Sequence, residues 1–145
     1  MLREAVRAVL VRELRALRRA VETYPDDASL WALPAGVPNA AGTLVLHMAG
    51  NLQHFVGAVL GETGYRRERD AEFSRRDMTR AELLAEIDAA IAAVELTLEQ
   101  LSDDAVHEPY PEEIGGRRIE TSDWLVHLVA HTAITSVRSI TTGGW

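Results

Sequence analysis

The sequence predicts an all-α fold, specifically a four-helix bundle. Three observations lead there. Apolar residues recur at three- and four-residue steps in four separate segments. Two longish irregular connections, rich in charge, proline and glycine, divide them. The second segment is apolar nearly all round, which suits a helix in the centre of a bundle. With 145 residues, a single domain over 1–145 is expected. A chain of that length buries roughly two-thirds of its unfolded surface.

The first helix should run from about Leu2 to Thr23. Leu2, Val6, Val9, Leu10, Leu14, Leu17 and Val21 give it one apolar stripe. Tyr24-Pro25 ends it, because proline disfavours helical backbone in the residue before it. In the loop that follows, Pro34, Gly36 and Pro38 act as breakers, and Trp31 and Leu33 are expected to pin it to the core. Asn39 is a suitable N-cap for the second helix, AAGTLVLHMAGNLQHFVGAVL, which reaches about Leu60. Gly61 and Gly64 close it, and GETGYRRERDAEFSRRDM makes a long charged connection. Thr79-Arg80-Ala81-Glu82 is a capping box that opens the third helix. That helix extends to about Leu101, with Leu83, Leu84, Ile87, Ile91, Val94 and Leu98 inward. Pro109, Pro111 and Gly115-Gly116 preclude a long helix in the next stretch, although a short hairpin at the glycine pair fits. Thr121 or Ser122 caps the fourth helix, which ends at Gly143-Gly144.

Composition narrows the chemistry. There is no cysteine, and all 15 basic residues are arginines. Disulfides, thiolate ligands, a cysteine nucleophile and a Schiff-base lysine are excluded. The net charge of −7 opposes binding to a phosphate backbone. Arg3, Arg7, Arg12, Arg15, Arg18 and Arg19 are interspersed with Glu4, Glu13 and Glu22, as on a solvated helix face. No signal-peptide run and no membrane-length apolar stretch occurs, so a cytoplasmic protein without nucleic-acid or membrane partners is expected.

His127 and His131 lie four residues apart on the last helix, stacked about one turn apart on one face. Trp124, Leu125, Leu128, Val129 and Ile134 flank them, which predicts a largely buried pair. Two buried imidazoles are hard to satisfy by hydrogen bonds alone, because each needs a matched donor and acceptor. A shared metal ion resolves this. On the second helix His47, Asn51 and His54 form a polar stripe at i, i+4 and i+7. Burying such groups costs free energy unless they find partners. Spacing alone leaves both His47 and His54 open as a third ligand. His107, beside Glu108 and Pro109, reads as a surface residue.

Two stretches, LVLHMAGNLQHF (44–55) and WLVHLVAHTAITSVR (124–138), resemble the DinB/YfiT-like metalloenzyme superfamily of four-helix bundles. The segment GYRRERDAEF is similar to a subgroup of unassigned function, and the likeness spans nearly the whole chain. The resemblance implies one metal ligand from the second helix and two from the HxxxH of the last: His47, His127 and His131. It gives His54 no ligand role and places it behind the ligands or in the pocket wall. Many relatives follow the last histidine with Arg-Gly-Gln; this chain has Thr132-Ala133-Ile134. Some relatives use low-molecular-weight thiols as substrates for transfer or isomerisation, and a homodimer is expected on the same ground.

Three histidines leave a tetrahedral ion one position short, the mark of a catalytic rather than a structural centre. Zinc and nickel both accept imidazole. The expectation is a metal-dependent enzyme acting on a small molecule, with a thiol as co-substrate, or alternatively a metal-dependent hydrolase. Asn51 and His54 are the candidate catalytic residues, for orienting substrate or moving a proton. Trp124 would line the pocket. Arg66, Arg67 and Arg69 read as surface partners of Glu68, Asp70 and Glu72; nearer the site they would meet a substrate carboxylate. The competing expectation is a non-catalytic metal-binding or dimerising bundle.

Overall fold

Helix α1 spans Leu2–Glu22 and buries Val6, Leu10, Val11, Leu14, Leu17 and Val21 along one stripe. Leu10, Leu14 and Leu17 are fully enclosed, each worth about 1.5–3 kcal/mol of apolar burial. The computed structural model describes the backbone of residues 1–143 and the side chains of residues 1–135. Arg15–Glu95 and Arg18–Asp88 join the exposed edge of α1 to a later helix. Exposed pairs of this kind contribute at most about 1 kcal/mol.

A 3-10 turn at Ala28–Trp31 follows. Leu30 is fully buried, and the Trp31 indole N–H donates to the Met78 carbonyl at 2.8 Å. Leu33, expected as an anchor, is 57% exposed. The turn ends at Trp31, and the extended backbone from Ala32 carries Leu33 outward. Gly42 admits the indole, since a Cβ there would stand 2.7 Å from the ring.

Helix α2 spans Ala41–Leu52 and is buried almost throughout. Its N-cap is Ala40, in extended conformation and without a side-chain cap, one residue beyond the expected Asn39. It continues as a π-helix over Gln53–Ala58 and a last α turn at Val59–Gly61. The Val59 N–H reaches back five residues to the His54 carbonyl. Such wide turns gather at functional sites. The Phe55 carbonyl here accepts the hydroxyl of fully buried Tyr110 at 2.5 Å.

The charged connection is not wholly irregular, because Arg69–Ser74 forms a short helix, α3. Helix α4, Arg80–Gln100, opens on the predicted capping box of Thr79 and Glu82. It buries Leu83, Ile87, Ala90, Val94, Thr97 and Leu98. In the stretch after it, the expected hairpin is reduced to two isolated antiparallel bridges, Ile114–Arg117 and Pro109–Glu120. Gly115 and Gly116 turn it with φ of 57° and 77°, a region that disfavours other residues. Helix α5 spans Thr121–Gly143. The helix begins at Thr121, whose hydroxyl donates to the Glu108 carbonyl, and the Ser122 hydroxyl donates to the Glu120 carboxylate. Of the expected stop at Gly143-Gly144, the second residue lies outside the described residues.

The fold is all-α: among the described residues there are four long helical segments, the short α3 and no strand. Helices α1 and α2 each pack on both α4 and α5, and α3 lies against α2. One apolar cluster runs through the bundle. No helix of the described residues is long and apolar enough to cross a membrane.

Candidate metal centre

The α2–α5 seam brings together two of the predicted ligands. His47 Nε2 on α2 lies 3.4 Å from His131 Nε2 on α5, with the rings edge to face. In a tetrahedral zinc site with bonds of about 2.0–2.1 Å, adjacent ligand atoms stand about 3.3–3.4 Å apart. The two nitrogens thus already have the spacing of two donors to one ion, and the pair fits a divalent metal.

The other edge of the His47 ring meets α3. Its Nδ1 is 3.3 Å from Glu72 Oε1 and 3.3 Å from Arg67 Nη2. Arg67 holds the same carboxylate twice, Nε to Oε2 at 2.8 Å and Nη2 to Oε1 at 3.0 Å. Glu72 is only 6% exposed. Burial pushes its carboxyl pKa up, but the hydrogen bonds with His47 and Arg67 outweigh that and hold it below the usual carboxylate range. The side chain enters beside α2 because residue 50 is glycine: a Cβ there would stand 2.8 Å from the Glu72 carboxyl carbon. A cavity of about 150 Å³ is lined by Glu72 together with Leu46, Tyr65 and Glu86. Burial, with Glu86 and Glu72 nearby, raises the pKa of the Tyr65 hydroxyl.

The expected burial of the HxxxH pair is corrected in part. His131 is half-buried, whereas His127 is exposed and stacked on Trp124, with ring centroids 4.7 Å apart and planes 10° apart. The helical repeat explains the difference. Four residues advance a helix about 40° beyond a full turn, so His131 lies at the edge of the arc buried through Leu128 and Thr132, and His127 falls outside it. Among the described residues, no three of His, Asp and Glu are gathered as a ready ligand cluster. Glu72 and His131 face opposite edges of the His47 ring and do not converge on one point.

The rest of the polar stripe divides. Asn51 is 8% exposed, and its side-chain oxygen has no hydrogen-bond partner among the described residues. His54 turns to Glu112, with Nε2 3.2 Å from Oε1. Phe55 stands between His54 and Trp124, meeting both edge to face. The guanidinium of Arg67 lies 5.8 Å from the Phe55 ring centre. Of the three loop arginines, Arg67 therefore belongs to the site, whereas Arg69 sits over Phe73 and Arg66 is exposed. His107 is on the surface, paired with Glu120 at 2.9 Å.

Sequence reading missed Glu72. It stands in a run of alternating charges, where an acid reads as a partner for neighbouring arginines. The one signal was at a distance: a glycine three residues after His47, on the same face of α2.

An all-helical chain with paired histidines across its central seam is the class this geometry defines. Residues 10–134 match the family model of the DinB superfamily, and the chain belongs to that superfamily. No curated protein matches it in sequence.

Proposed function

We propose that the chain is a metal-dependent enzyme acting on a small molecule, with a divalent ion, zinc or nickel, held by His47, His131 and His127. The observation that carries this reading is the 3.4 Å separation of the His47 and His131 Nε2 atoms, with an ionised carboxylate behind His47. Metal-ligating histidines commonly donate their second N–H to such a group. His127, four residues before His131, is the third donor. Ligation requires it to leave Trp124, an aromatic contact worth about 0.5–1.5 kcal/mol. Even a micromolar metal site yields about 8 kcal/mol, so the stack does not prevent it.

When bound, the ion would lower the pKa of a thiol or water at its open position. Thiol-dependent transfer is the first reading, with a low-molecular-weight thiol as co-substrate, and hydrolysis is the second. Phe55 and Trp124 supply an apolar wall for the substrate. The unpartnered Asn51 oxygen accepts a hydrogen bond from it. His54, oriented by Glu112, takes or returns a proton at its ring nitrogen.

Metal analysis of the purified protein and of its single histidine variants tests the ligand set. A screen of metal-loaded protein against a panel of thiols and electrophiles tests the reaction. Wild-type protein that takes up no zinc or nickel would sink this reading.

A further inference from the structure

We infer that Glu72 is the positioning residue of His47, and that the strap of residues 65–76 is coupled through it to metal occupancy. This rests on the metal reading above and adds to it the residue that sets the affinity of the site and the segment that answers to it.

A neutral imidazole carries one proton, and only the nitrogen without it binds a metal. The Nδ1 of His47 faces two groups at the same 3.3 Å, Arg67 Nη2 and Glu72 Oε1. Arg67 only donates, and the ionised carboxylate only accepts. With the proton on Nε2, Nδ1 accepts from Arg67 and the metal-binding nitrogen is blocked. With the proton on Nδ1, His47 donates to Glu72 and offers a bare Nε2 towards His131. A cation at Nε2 draws charge from the ring and strengthens the Nδ1–H bond to a carboxylate. The metal therefore selects the arrangement in which Glu72 is engaged. Arg67 fixes the carboxylate through two bonds of 2.8 and 3.0 Å, so Glu72 cannot turn aside without losing both.

Glu72 is also what fastens the strap. Helix α3 has six residues, too few to be stable alone. Four of the strap's side chains hold it to α2. Glu72 fills the space beside Gly50, Phe73 packs on the His47 ring with centroids 5.1 Å apart, Arg67 Nη2 meets His47 Nδ1 at 3.3 Å, and Arg76 Nη1 reaches the Thr43 hydroxyl at 3.4 Å. Three of these four contacts involve His47 or the carboxylate bonded to it. Metal binding and strap docking thus share one hydrogen bond, and by linkage each strengthens the other by the same factor.

The test uses the whole protein with zinc alone as the probe. Chelator competition gives the zinc affinity of wild type, Glu72→Gln and Arg67→Met, and hydrogen exchange follows residues 65–76 with and without zinc. The expected result is a loss of about 10–100-fold in affinity in both variants. Zinc should slow exchange across the strap in wild type and fail to do so in Glu72→Gln. Histidine ¹⁵N spectra of zinc-loaded wild type, which need no variant to fold, should show His47 protonated at Nδ1. Variants that bind zinc within about threefold of wild type would overturn the inference and leave the metal site standing. So would zinc-independent strap exchange, or a His47 protonated at Nε2. Failure of wild type to bind zinc would overturn both.

Discussion

Gly50 and Glu72 occupy the same space beside α2, and only the missing side chain of the first admits the carboxylate of the second. Elsewhere in a helix interior, glycine to alanine gains roughly 0.5–1 kcal/mol. Here the sign reverses. A methyl group would lie 2.8 Å from the Glu72 carboxyl carbon, and Arg67 prevents that group from swinging clear. Gly50→Ala is expected to destabilise the protein by about 1–3 kcal/mol, as overpacking does. It should also weaken zinc binding by at least about tenfold as Glu72 leaves His47. Thermal melts and chelator competition measure both. A rise in Tm would mean that the carboxylate is not held where the structure has it.

The ligand set makes a separate prediction. His47→Ala, His131→Ala and His127→Ala should each abolish stoichiometric metal, whereas His54→Ala should retain about one equivalent, since His54 is turned to Glu112. Metal analysis of the four variants decides it. Loss of metal from His54→Ala would reassign the third ligand. Acid should strip the ion, because its ligands must be neutral imidazoles. The apolar cluster contains none of the histidines, so the helices should remain folded by circular dichroism after the metal has gone.

The helices were legible in the sequence because their signals are local. The stripe of α1, the Thr79–Glu82 capping box and the all-round apolar α2 each follow from residues a few positions apart. The His47–His131 pairing was legible through resemblance, with spacing alone leaving His54 equally open. The unread features depend on contacts between distant segments. Glu72 is a site residue only because α3 docks against Gly50. The π-helix at Gln53–Ala58 contains no proline to mark it, and one of its carbonyls is bonded by Tyr110, 55 residues away. The exposure of His127 follows from about 40° of helical rotation relative to His131, an angle too fine for residue periodicity to separate buried from exposed.

Tyr110 gives the wide turn of α2 a fixed partner. Its hydroxyl donates to the Phe55 carbonyl at 2.5 Å in a fully buried position. Tyr110→Phe keeps the ring and leaves that carbonyl unpaired, an expected cost of about 1–3 kcal/mol. That corresponds to a fall in Tm of at least several degrees. Burial, with Glu112 nearby, raises the phenol pKa, so the folded state keeps the proton longer than the unfolded chain. The stabilisation is present below the unfolded pKa near 10 and fades as pH rises beyond it. Denaturant titrations of wild type and variant above about pH 10 should converge. A constant gap would show that the hydroxyl contributes no pH-linked stability.

Glu82 carries the acid-side counterpart. Hydrogen bonds from the Thr79 backbone and side chain lower its pKa below the ordinary 4.5. In the unfolded chain the carboxyl takes up a proton near 4.5, while the folded capping box still holds it ionised. Stability from this group is therefore complete above that pH. It declines as pH falls through the folded value, because the unfolded state binds the proton first. Glu82→Gln keeps an oxygen to accept the Thr79 N–H and removes the titration. Chemical denaturation from about pH 6 down to about pH 3 should show wild type losing more stability than the variant, with the difference confined to the range below about pH 4.5. Asp103 and Glu120, both lowered by their own partners, titrate in wild type and variant alike and drop out of the comparison. Parallel curves across the whole range would mean that the capping box at the start of α4 does not hold the Glu82 carboxylate in solution.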